Sequence, residues 1–147
     1  MRYVPVVDLH PWGPVLLALL LHACSEEPSG TGEFTMGFAF VEGTVTNGQG
    51  EAVARANLTI NILQPGCSGS PLTTSGALAF VIQLDGTYRV LTQMPASGPQ
   101  GSMGCVEILV QPFSSTGLLD ASASVDGVMF APTVNAAPTV QIDVVVQ

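Results

Sequence analysis

The sequence predicts an all-β protein: a single β-sandwich of about seven strands. Three observations carry this prediction. Apolar and polar residues alternate with a period of two in segment after segment, as in strands with one buried face. Turn-forming clusters, drawn from 16 glycines and 11 prolines, separate those segments. No helical periodicity and no internal repeat appears beyond the N-terminal segment.

Taken in order, residues 1–23 read as an export signal. Pro14 to Leu21 is an unbroken apolar run, too short to span a bilayer as a helix. Leu21-His22-Ala23-Cys24 then resembles a bacterial lipobox, although His22 departs from the usual small or apolar residue. That resemblance implies acylation at Cys24 and a stable membrane anchor. The alternative is ordinary cleavage after Ala23, which would release a soluble chain. Residues 24–36 begin Cys24-Ser25-Glu26-Glu27-Pro28-Ser29-Gly30, a polar, acidic stretch suited to a flexible tether. The sandwich is expected over residues 37–147. By analogy with lipoprotein sorting, Ser25 after the cysteine favours the outer membrane; the periplasm is the other expected address.

The domain is organised around Val41 to Leu63. Val41, Gly43 and Val45 alternate with Glu42, Thr44 and Thr46. Asn47-Gly48-Gln49-Gly50 allows a reversal, because glycine accepts positive φ and asparagine tolerates it. Ala56, Leu58, Ile60 and Ile62 resume the alternation. The two strands are expected to be neighbours in one antiparallel sheet, joined by about eight residues. Phe34 to Phe40 is apolar but out of phase with Val41 to Val45, as a bulge or an added edge segment would be. Pro65 to Pro71 reads as loop. Ala77 to Leu84 reads as a third, interior strand, then a turn at Asp85-Gly86 and a strand from Thr87 to Gln93. Met94 to Met103 reads as loop, and Cys105 to Gln111 as a strand. Leu118 to Val125 and Val128 to Phe130 are weaker. Thr139 to Val146 closes the chain with Val140, Ile142, Val144 and Val146 inward.

The pattern Gly43-x-Val45-x-Asn47, Gly50, Val53, Ala56-x-Leu58-x-Ile60 resembles the carboxypeptidase regulatory-like family. Asp85-Gly86-Thr87-Tyr88 and the alternating strand after it fit that family's second landmark. The resemblance implies a transthyretin-like, seven-strand Greek-key sandwich. It also implies structural roles at turn and core for Gly43, Gly50, Ala56, Asp85, Gly86 and Tyr88. It implies no peptidase activity, since such domains accompany enzymes and receptors as accessory modules.

Three cysteines in an exported chain divide as one plus two. With Cys24 acylated, Cys67 and Cys105 are expected to form a disulfide; two reduced, buried thiols are the alternative.

Charge and composition narrow the function classes. The net charge is −8 and the sequence contains no lysine. Beyond the signal, Arg55 and Arg89 are the only fixed cations, so neither nucleic acid nor an anionic lipid surface is an expected partner. His10 and His22 both fall in the signal, so the remaining chain lacks the histidine of a Ser-His-acid triad, a Cys-His pair or a His-ligated metal. No metal site, cofactor or catalytic residue is expected. A glycosidase pair from the acids, or a calcium site using Asp120 and Asp126, is outweighed by solvated carboxylates in turns and on strand faces. The expectation is a chain that is not an enzyme: a lipid-anchored envelope module with a structural or protein-binding role. The alternative is a surface lipoprotein that binds a small ligand or glycan.

Overall fold

The computed structural model describes residues 35–76, 78–79, 81–96 and 100–147. The expected signal, Cys24 and the tether as far as residue 34 lie outside the described residues. Nine strands occur in order: β1 (Thr35–Asn47), β2 (Ala56–Gln64), β3 (Ser68–Thr74), β4 (Leu78–Ala79), β5 (Thr87–Ala96), β6 (Ser102–Pro112), β7 (Ala121–Phe130), β8 (Thr139–Gln141) and β9 (Val144–Val146). Two single-turn 3₁₀ helices flank β7 in the chain, and no α-helix occurs among the described residues. The fold is all-β, with two sheets in a sandwich-like arrangement.

One sheet runs β5-β1-β8, with β9 continuing along the same side of β1 as β8. The other runs β3-β2-β6-β7, with β4 also on β2. β1 pairs antiparallel with β5 over Thr35 to Thr44 and parallel with β8 and β9. Thr35 and Met36, expected in the tether, are thus already in the sheet.

The expected β1–β2 neighbour pair is corrected, because the two strands belong to different sheets. After β1 the chain folds back just far enough for Val53 N–H to reach Val45 O, then crosses over. The connection is long enough to span the gap, and buried Val53 lies along it. Alternation marks an inward face but does not say to which sheet that face belongs.

β1 is continuous over 13 residues. Its inward positions are Gly37, Ala39, Val41, Gly43 and Val45, all buried. Phe38 and Phe40 therefore point outward, which explains their phase without a bulge. The small inner residues make room for others: a Cβ on Gly37 would lie 2.7 Å from the Cβ of fully buried Phe130. Around them pack Leu58, Ile60 and Ile62 of β2, Val106, Ile108 and Val110 of β6, and Ile142, Val144 and Val146.

Three expected loops or strands are also corrected. The expected loop Pro65 to Pro71 runs from Ser68 into β3, an edge strand exposed along most of its length and so without an apolar signal. The expected loop Met94 to Met103 is strand at both ends, since β5 runs to Ala96 and β6 starts at Ser102. Of the expected strand Ala77 to Leu84, only Leu78 and Ala79 pair with β2 among the described residues, and Leu84 is 94% exposed. The two weak segments after Leu118 merge into one β7, whose register against β6 shifts between Gly104 and Val106.

Candidate functional site

The sequence landmarks converge where β1, β5 and the β8–β9 junction meet. Gly43 sits opposite Tyr88 in the β1–β5 register. Tyr88 is buried, and its hydroxyl donates to the carbonyl of Ile142. Ile142 N–H in turn donates to Glu42 O at 2.8 Å. A Cβ on Gly43 would stand 1.9 Å from Ile142 O, so only glycine permits this approach. Burial, then the charge of Asp143, pushes the Tyr88 phenol well above its usual range.

Asp143 completes the junction. Its Oδ1 accepts from both Thr44 Oγ1 and Thr44 N–H, each at 2.8 Å. Those two bonds, the hydroxyl's first, hold its carboxyl below the usual carboxylate range. Asp85 does the same within its own turn, taking Thr87 Oγ1 at 2.7 Å and Thr87 N–H at 3.0 Å, and its carboxyl is likewise lowered. Gly86 has φ of 82°, and its carbonyl accepts Val45 N–H at 2.9 Å. The Asp85–Tyr88 turn is thereby docked onto β1. Gly50 also has positive φ, in a turn that Asn47 organises by accepting the N–H groups of Gln49 and Glu51 through Oδ1. Ala56 is fully buried at the start of β2.

Above the Gly43–Tyr88 pair lies an open groove of about 420 Å³, whose polar walls include Glu42, Thr44, Gln83, Thr87, Arg89 and Gln141. Arg89 stands 3.6 Å from Glu42 across the strands and 4.6 Å over the Phe40 ring. Both ion-pair partners are well exposed, so the pair contributes little to stability. The groove offers amides, hydroxyls, one cation and one carboxylate. Two of those hydroxyls, on Thr44 and Thr87, are already engaged with the carboxylates of Asp143 and Asp85. Sequence reasoning missed Gln83, Arg89, Gln141 and Asp143 as its walls and supports; Arg89, one of two fixed cations beyond the expected signal and three positions past the turn glycine, was the available signal.

Cys67 and Cys105 are joined by a disulfide, tying the β2–β3 turn to β6. Asp126 approaches the same sulfurs, but a bonded disulfide offers no thiolate to a metal. Asp126 Oδ1 instead accepts the N–H groups of Gly66 and Gly127. Asp120 accepts from Gln111 Nε2 and shares no ligand cluster with Asp126 among the described residues.

No family model matches the chain, and no curated protein does. Among solved structures, the chain is similar to a chlorocatechol 1,2-dioxygenase from Pseudomonas putida, at 17% identity and a TM-score of 0.45. The match covers 76% of this chain and 61% of the dioxygenase chain. That neighbour is an enzyme, and on this finding the expectation that the chain is not an enzyme is corrected and withdrawn. A likeness this distant assigns the chain no activity of its own.

Proposed function

We propose that this chain is a bacterial lipoprotein, anchored through Cys24, whose sandwich holds a protein partner at the cell envelope. Its domain is read as a seven-strand, transthyretin-like Greek key. If β3 with β4, and β8 with β9, are each counted as one interrupted edge, the nine strands occupy seven positions, which supports that reading. The observation that carries the binding role is the pair Met103 and Met129. They face each other across β6 and β7 and are 52% and 47% exposed. Methionine side chains adapt to varied apolar surfaces, and an exposed pair on a sheet face suits protein contact.

A second reading has its own observation. The groove beside Tyr88, with Arg89 over Phe40 and several amides and hydroxyls, suits a small polar ligand or a glycan.

Crosslinking in intact envelopes, with mass analysis of the recovered chain, tests the proposal. A chain starting at Cys24 with acyl mass, crosslinked to a protein through the β6–β7 face, is the expected result. A chain without acyl mass would remove the anchor. A full absence of protein crosslinks, with a glycan retained instead, would favour the second reading.

A further inference from the structure

The open edge of β7 deepens the protein-binding reading and rests on it. We propose that this edge, over Ala121 to Val125, takes an extended, positively charged segment of the partner by strand addition. β7 pairs only with β6 among the described residues, in unbroken register from Ala121 to Val125. Among the described residues no strand meets the backbone donors and acceptors on its other side, which form a template for one more strand.

The other edges carry obstructions. β5 has Pro95, and Thr73 Oγ1 donates to Gln93 O along its flank. β3 contains Pro71 and has Gly69 at φ of 84°. The β8–β9 edge is broken at Ile142 and Asp143, where Asp143 turns to Thr44. Ala121-Ser122-Ala123-Ser124-Val125 has no proline, no charge and no bulky side chain. It lacks the devices that proteins use to blunt an edge.

Charge selects the occupant. Asp120 and Asp126 stand at the two ends of this run, six positions or about 20 Å apart. With Ser122 and Ser124 they occupy alternate, exposed positions. Glu107 lies opposite Ser124 on β6. None of the three carboxylates forms an ion pair among the described residues. A second copy paired antiparallel about Ala123 would set Asp120 against Asp126 at both ends. The chain's own tether would bring Glu26, Glu27 and Glu33 to the same acids. Both occupants are repelled, whereas lysine or arginine at the ends of an incoming strand is attracted. A groove of about 240 Å³ beside Asp120 is lined by Leu109, Val110, Gln111, Ala121 and Ser122. Its apolar floor suits the aliphatic stem of a basic side chain whose head reaches Asp120.

The probe is a peptide, Lys-Thr-Val-Thr-Val-Thr-Lys, titrated into the full chain with amide hydrogen exchange as the readout. Its glutamate-ended counterpart is the control. The expected result is slowed exchange confined to residues 121–125, with no response to the control. Asp120→Lys, at an exposed side chain, is expected to weaken binding by about tenfold or more at low salt. Ala123→Pro should abolish it; should that variant not fold, Ser124→Lys on the outer face serves instead. Protection elsewhere, equal binding of both peptides, or concentration-dependent protection of 121–125 without peptide would each overturn the proposal. An envelope partner whose crosslinks survive Asp120→Lys and Ser124→Lys would overturn it too, while leaving the protein-binding reading standing. An envelope without any protein crosslink would remove that reading itself.

Discussion

Tyr88 converts a sequence landmark into a structural joint. Its hydroxyl bonds the one carbonyl that Gly43 allows to come close, at the point where the C-terminal segment breaks between β8 and β9. Tyr88→Phe keeps the ring and removes the donor, leaving the Ile142 carbonyl short of its partner. The expected cost is about 1 to 3 kcal/mol, read by denaturant unfolding. The phenol's raised pKa has a definite sign. Below its ordinary value of 10.0 the ring is neutral in both states and its contribution is complete. As pH rises past that value the unfolded chain ionises first, so stability falls until the folded phenol itself loses its proton. Tyrosinate absorbance of the mature chain should therefore rise together with alkaline unfolding. A separate step near pH 10 with circular dichroism unchanged would contradict the buried, bonded hydroxyl. Asp85 and Asp143 act with the opposite sign. Their lowered values give stability above the carboxylate range that is lost as pH falls.

At the scale of the element, legibility tracked burial. β2 and the core of β6 present one apolar and one polar face, so alternation found them. β3 is exposed on most of its length, and nothing in Ser68 to Thr74 distinguishes an edge strand from a loop. Phe38 and Phe40 misled for a related reason: apolar side chains on the outer face of β1 reverse the expected phase, and Arg89 covers one of them. The disulfide joins the turn before β3 to β6 with a separation of 38 residues. It thus fastens the edge that has the least apolar burial. On the chain-entropy account, opening it costs about 3 to 4 kcal/mol. Reduction, or Cys67→Ser with Cys105→Ser, is expected to lower Tm by roughly 10 °C or more. Hydrogen exchange should rise first along Ser68 to Thr74. An unchanged Tm would mean that β2 pairing alone holds that edge.

For the whole molecule, the sequence identified the inward residues but not the path of the chain between sheets. Period-two alternation looks the same whether the next strand pairs beside its predecessor or crosses the core to face it. What closes the first sheet is long-range: the last strands run parallel to the first, and Leu119 N–H meets Gln147 O at the very end. The C-terminal segment therefore belongs to the core rather than to its periphery. Ile142, Val144 and Val146 are each at most 4% exposed. Their burial contributes about 1.5 to 3 kcal/mol apiece. The sum approaches the whole stability of a typical domain, about 5 to 15 kcal/mol. The same segment supplies the carbonyl that Tyr88 needs and the carboxylate that Thr44 needs, so its removal leaves both without partners. A chain ending at Gln141 is therefore expected to lose cooperative folding, with no thermal transition by circular dichroism and rapid proteolysis throughout. Adding residues 142–147 back as a separate peptide should restore a transition whose midpoint depends on peptide concentration. A truncated chain that still melts cooperatively near the intact Tm would show that β5 and β8 hold β1 without β9, and the last strand would then be an ornament of the fold instead of its lock.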